Sequence, residues 1–403
     1  MQKIPNYEIL EELGSGGYGK VFKGRHIHNN QFHAIKLTKS SEKSNAKEAR
    51  ILKNLKGSQS ENGIPKYHDH GTTSDHNFLV MELLGKSLQK EQIRHNGAFS
   101  LSCTIAIGQQ MLERIEYIHS KSIIHRDIKP PQLLLSEDGT KICLVDFGLG
   151  TKYLIEKNHK PFKIKSKTKG SVPFASINTH MGFKQSRRDD LESMFYTLAC
   201  LKLGKLPWQE SFHGLEGIDK WNACLTSKMI HLASLFNGFP VEFMHMFQYV
   251  RLLGYDQKPD YGYFRRSFDT VISRLKIKPM LDWYERYNRV RKISCAETVT
   301  SMSCSRKAEN TSYSGAKGAR HNKRYRRRKS IRKYSEGDIK HSDVLDTEIC
   351  NYPELKIYDD KNQFIRFRSC LGLELRNSNI FEDYDPTNEG ILPSISNRNL
   401  LKG

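Results

Sequence analysis

No run of about 18 apolar residues occurs anywhere in the 403-residue chain, so nothing in it reads as a membrane-crossing helix. None of its eight cysteines forms a CxxC pair, which argues against a disulfide scaffold or a zinc site. Reduced thiols, in the cytoplasm or the nucleus, are the expectation. The start of the chain lacks the apolar stretch of a secretory leader, because Glu8 and Glu11 follow Met1 too closely. Acids are scarce: 44 Asp and Glu stand against 65 Lys and Arg, for a formal net charge of +21. Apolar residues are scarce too, at 37%. Even with its 28 Gly the chain stays below the usual share of about 45–50%. A compact domain diluted by a polar segment is predicted.

The positive charge is concentrated. Between Ser305 and Lys333 twelve Lys and Arg stand against the single Glu309, about half of the net charge. Such a block repels itself and predicts disorder over 300–340. Its densest part is Lys323-Arg324-Tyr325-Arg326-Arg327-Arg328-Lys329-Ser330-Ile331-Arg332-Lys333. That run reads as a nuclear import signal for an importin, a contact for an anionic surface or nucleic acid, a pseudosubstrate-like regulator, or a solvated linker. Few aromatics interleave with it, which disfavours nucleic-acid binding as the main role. Ser330 and Ser335 are candidate phosphorylation sites.

Residues 7–37 predict strand, tight glycine turn, strand and third strand. Residues 43–56 lack Gly and Pro and space Ala46, Ala49, Ile51, Leu52 and Leu55 as a helix does. The apolar run Phe78–Leu84, ending at Gly85, predicts a buried strand and a hinge. Residues 100–120 predict a long helix capped by Ser100. Further helices are expected at about 187–203 and within 215–285. After Asn288 the periodicity fades, and only 355–384 is apolar enough for a small element. There is no internal repeat.

Four segments carry chemistry. Gly14-Ser15-Gly16-Gly17-Tyr18-Gly19, followed by Val21, is either an ordinary hairpin turn or a loop whose backbone N–H groups approach phosphate. Ala34-Ile35-Lys36 follows on the third strand. There Lys36 could reach the α- and β-phosphates, held by Glu48 from the next helix. His125-Arg126-Asp127-Ile128-Lys129-Pro130-Pro131-Gln132 and Asp146-Phe147-Gly148 complete the set. Phosphoryl transfer needs a carboxylate to orient a hydroxyl and take its proton, which suits Asp127, and cations on the phosphate oxygens. Lys129 could touch the γ-phosphate. Asp146 suits magnesium, which prefers hard carboxylate oxygen.

With these motifs the chain resembles the eukaryotic protein kinases, over about residues 5–288. It looks most like the casein kinase I group. Ser176-Ile177-Asn178 stands where most protein kinases carry Ala-Pro-Glu, and Leu206-Pro207-Trp208-Gln209, Ile118-His119-Ser120-Lys121 and Met81-Glu82-Leu83-Leu84-Gly85 fit the same group. The resemblance implies an α+β, two-lobed protein kinase fold, with a small β-rich N-lobe (1–84) carrying one main helix and a large helical C-lobe (85–288). A basic, mostly disordered tail (289–403) would follow. It implies transfer of the γ-phosphate of ATP to Ser or Thr of protein substrates, with Mg²⁺ or Mn²⁺, by a monomer of the cytoplasm or nucleus. ATP would contact Leu13, Gly14 to Gly19, Val21, Ala34, Lys36 and Glu48. Met81 would line the back of the adenine pocket, Glu82 to Leu84 would form the hinge, and Asp190 would anchor the catalytic loop.

Three departures stand out. Gln132 replaces the asparagine that normally gives the second metal contact, adding one methylene. Pro131 beside Pro130 stiffens that loop. Pro173 stands where the group usually has an arginine that helps bind phosphorylated substrates, although Lys220, a second member of that anion site, is present. The lysines at 157, 160, 163, 165, 167 and 169 either steer acidic substrates or form a solvated loop. The competing readings are a weakly active pseudokinase scaffold, motivated by Gln132, and a nucleic-acid binder acting through the tail.

Overall fold

A computed structural model describes residues 4–16, 19–40, 44–58, 61–164, 168–287, 356–358 and 364–366. The expectations for the basic run at 323–333, for disorder at 300–340 and for Ser330 and Ser335 lie outside these residues, as do Gly17, Tyr18, Lys165 and Lys167.

The first lobe is a five-stranded antiparallel sheet. Its strands are β1 (Tyr7–Gly16), β2 (Gly19–His26), β3 (Phe32–Lys39), β4 (Tyr67–Thr72) and β5 (His76–Glu82), in the order β1-β2-β3-β5-β4. β3 is buried along most of its length, because β2 and β5 pair with it on either side and helix α1 (Ser44–Leu55) covers it. Two registers matter for the cleft: Val21 faces Lys36 across β2 and β3, and Ala34 faces Met81 across β3 and β5.

The second lobe is built on helices α2 (Leu88–Arg94), α3 (Leu101–Ser120), α4 (Ile177–His180), α5 (Arg187–Leu203), α6 (Gly217–His231), α7 (Val241–Leu252) and α8 (Tyr261–Leu275). Ser100 caps α3 by accepting from Cys103 N, as a serine before an apolar-periodic run should. α5 is buried over nearly all its length, packed between α3 and α7. Short ladders join the chemistry-bearing loops: β6 (Ile123–Ile124) with β9 (Thr151–Lys152), and β7 (Leu133–Leu135) with β8 (Ile142–Leu144). β10 (Leu154–Ile155) pairs with β11 (Asn158–His159). In the apolar segment at 355–384, β12 (Lys356–Tyr358) and β13 (Phe364–Arg366) form a small hairpin.

The long core runs from α1 through α3 to α8, and includes the fully buried Trp208 and Trp283. The cysteines at 103, 143, 200 and 224 are free and buried. Among the described residues no helix is long and apolar enough to cross a membrane.

Candidate active site

The hairpin of β1 and β2 sets Gly14 opposite Val21 and Gly16 opposite Gly19. Only Gly19 is required by its surroundings: its φ is +112°, and a Cβ there would lie 2.2 Å from Leu37 O. Gly14 and Gly16 face open space, so their backbones are free to meet a ligand closely. Leu13 and Ser15 complete this edge, and Lys90 Nζ of α2 reaches Leu13 O at 3.4 Å from across the cleft. Ala34 and Met81 lie side by side and are nearly buried. Glu82 ends β5, and Leu84 leads to Gly85, whose N–H donates to Leu135 O of the other lobe at 2.8 Å.

Lys36 joins both lobes. Its Nζ stands 2.8 Å from Glu48 Oε2 and 2.7 Å from Asp146 Oδ1. Burial alone would pull this ammonium's pKa down, but the two carboxylates more than offset it and the pKa is raised. Burial likewise pushes the Asp146 carboxyl upward; the Lys36 charge and its hydrogen bond reverse that, and the net pKa is lowered. The other oxygen of Glu48 accepts from Phe147 N at 2.9 Å, a role the sequence did not suggest.

The second carboxylate, Asp127, sits on a loop held from below. Asp190, at the start of α5, accepts from His119 Nε2 and His125 N with one oxygen, at 2.9 and 2.8 Å, and from Arg126 N with the other, at 2.8 Å. Arg126 and Asp146 both have positive φ, +73° and +66°. Such strain costs of order 1–3 kcal/mol per residue and persists only where surroundings impose it. Gly170 fits against this loop with φ +120°, and a Cβ there would lie 2.9 Å from Arg126 O.

Lys129 Nζ bridges Asp127 Oδ2, at 2.7 Å, and Ser171 Oγ, at 2.6 Å. Asp127 Oδ1 is buried and has no hydrogen-bond partner among the described residues. Pro130, Pro131 and Gln132 form one tight 3-10 turn, which suits two fixed φ angles. It delivers Gln132 Nε2 to 2.8 Å from Asp146 Oδ2. The described residues hold no cluster of three His, Cys, Asp or Glu arranged as a metal-ligand set. A carboxylate and an amide on one wall nevertheless suit magnesium, a hard cation that takes its other ligands from phosphate and water.

A sequence model of the protein kinase domain family matches residues 7–233. This chain belongs to the protein kinase family. Protein kinase domains generally use ATP and Mg²⁺ and phosphorylate proteins, so the kinase is a phosphotransferase with protein substrates. Its glycine turn, Lys36, Asp127 and Asp146 all fall within the matched region. Lys220 lies on α6 outside this network, its Nζ 5.5 Å from the Phe212 ring centre. Ser171 was the residue that sequence reasoning missed. No motif marks a lone serine 42 positions beyond Lys129; only the folded loop brings it there.

Proposed function

We propose that this kinase is a serine/threonine kinase of casein kinase I type, with a catalytic domain over 1–288. The observation that carries this reading is the Lys129 bridge. With Oδ2 of Asp127 occupied by Lys129 and Oδ1 unpartnered, the carboxylate has one oxygen directed by a cation and one available to a substrate hydroxyl. The Lys129–Ser171 contact ties the substrate-side loop to the base, which favours a short Ser or Thr side chain as acceptor.

The chemistry then follows from the side chains. Asp127 Oδ1 accepts the hydroxyl proton as the substrate oxygen bonds to the γ-phosphorus of ATP. The bond to the β–γ bridging oxygen breaks, and ADP leaves with that electron pair. Lys129 balances charge on the phosphoryl oxygens, and Lys36 orients the α- and β-phosphates. Asp146 and Gln132 would hold Mg²⁺, which when bound neutralises phosphate charge. The residues fit this ion provided the Gln132 amide turns its oxygen inward.

Acidic protein substrates are favoured by the chain's excess of positive charge and by the lysines at 157, 160, 163 and 169. The tail at 289–403 is proposed as a basic region serving an import receptor or an anionic surface. A peptide array tests the main reading: acidic Ser and Thr peptides, phospho-primed or not, are compared with Tyr peptides under ATP and Mg²⁺. Transfer to Tyr alone, or to none, would sink it.

A further inference from the structure

Lys228, on α6, is wholly buried. Among the described residues no carboxylate pairs with it, which is unusual for a charge removed from water. Its Nζ instead donates to two carbonyls of the substrate-side loop, Val172 O at 3.3 Å and Ala175 O. It also lies 4.6 Å from the Tyr196 ring centre and 5.4 Å from that of Trp208, within cation–π range.

The third neighbour is His180. Its Nδ1 lies 3.0 Å from Trp221 O and its Nε2 3.1 Å from Val172 O, so each ring nitrogen faces a carbonyl. His180 Nε2 also lies 3.1 Å from Lys228 Nζ, and it accepts from the ammonium when the imidazole proton is on Nδ1. Lys228, His180 and the Val172 carbonyl thus converge on one buried point.

The same loop carries Ser171. Its carbonyl accepts from Phe174 N and Ala175 N, both at 2.9 Å, closing a turn whose outward hydroxyl meets Lys129. Trp208 Nε1 donates to another carbonyl of the loop, Pro173 O, at 2.8 Å. Three carbonyls of the loop, those of Val172, Pro173 and Ala175, thus accept from groups of the helical lobe, and Lys228 holds two of them.

We infer that Lys228 is a positioning residue for the protein substrate, its ammonium fixing the Val172–Ala175 turn so that Ser171 and Lys129 stay aligned with Asp127. It touches no reacting atom. The inference rests on the reading that the acceptor peptide lies over this loop.

Burial draws the Lys228 ammonium down to about 8. The groups facing it hold their state nearby. His180 is held neutral by burial and by Lys228 itself, down to about 3. Burial pushes Cys224 up to about 11, and raises Tyr196 as well. Glu192 and Arg251, farther off, pair with each other at 2.5 Å. Above pH 8 the loop should therefore lose its cation.

The test is steady-state kinetics on the full chain, wild type against Lys228→Met. The expected result is a rise in peptide KM of about tenfold to a hundredfold, the range set by losing a charged hydrogen bond, with ATP KM moving less than about twofold. Wild-type peptide KM should also climb through pH 8, and the variant should show no such climb. Equal shifts in both KM values together with a lowered Tm would mark Lys228 as merely structural and overturn the inference, as would an unchanged peptide KM. Burial, Arg126 and Lys169 also draw Lys47 down to about 8, so a profile of Lys47→Arg serves if Lys228→Met does not fold. Disappearance of the climb there assigns it to Lys47 and overturns the inference.

Hydrogen exchange supplies a readout independent of transfer. Phe174 and Ala175 amides should exchange about tenfold or more faster in Lys228→Met, while His125 and Arg126 amides, bonded to Asp190, stay unchanged. A kinase that transfers no phosphate but shows this contrast defeats the proposed function and leaves the positioning role intact. No contrast defeats the positioning role.

Discussion

Gln132 Nε2 lies 2.8 Å from Asp146 Oδ2, so the longer amide reaches the carboxylate that a metal would share. We therefore expect Gln132→Asn to change kcat by less than about tenfold, a barrier change under about 1.4 kcal/mol. Gln132→Ala should raise the Mg²⁺ concentration needed for half-maximal rate. A large gain in turnover for Gln132→Asn, measured at saturating ATP, would instead favour an impaired, scaffold-like kinase.

Asp127→Asn removes the proton acceptor and keeps the shape. Turnover should fall by about a hundredfold to ten-thousandfold, the usual worth of a positioned base. ATP affinity, measured by nucleotide titration, should hardly change, because Lys36 and Asp146 are untouched.

Lys36→Met leaves Glu48 buried without its cation and frees one oxygen of Asp146. Breaking a buried pair from one side costs about 3–5 kcal/mol. A lower Tm and loss of transfer should appear together, and Lys36→Met/Glu48→Leu should recover part of the Tm but none of the activity.

Gly170→Ala places a Cβ 2.9 Å from Arg126 O at a φ of +120°. Strain of about 1–3 kcal/mol is expected there. Because the strain falls on the loop bearing Asp127, kcat should drop more than the melting temperature suggests; an unchanged kcat would show that the two loops move independently.

The acid limb of stability should depend on His33. It is 5% exposed, its Nδ1 has no partner among the described residues, and its ring centre is 4.4 Å from that of His68. Burial first, then His68 and His26, lower it to about 4. Folded His33 therefore refuses a proton that the unfolded chain accepts below about 6.5, so stability falls as pH drops from 6.5 toward 4. His33→Phe should raise Tm more at pH 5 than at pH 7.5. An equal gain at both values would show only improved packing.

The sequence made much of this legible because the relevant signals are local. A glycine-rich turn between β strands, a lysine on the third strand and two charged tripeptides need no knowledge of distant contacts. Helix α5 was readable over 187–203 for the same reason. Strand β4, Tyr67–Thr72, was not: its sequence YHDHGT alternates poorly, and pairing with β5 creates it. Helix α2 was short and lay between two glycines, Gly85 and Gly97. Ser171 and Lys228 were invisible for a deeper reason. Each looks like a surface residue until the chain folds over it.

Glu48 holds Lys36 with one oxygen and the amide of Phe147 with the other, and its neighbour Lys47 donates to Gly148 O at 3.3 Å, so two adjacent side chains latch α1 to the Asp146–Gly148 turn. A compound that needs Phe147 drawn out of its seat must first unfasten Glu48, and in doing so slackens the grip on Lys36. Inhibitors that leave the latch shut and those that open it should thus separate by on-rate, the openers binding slowly.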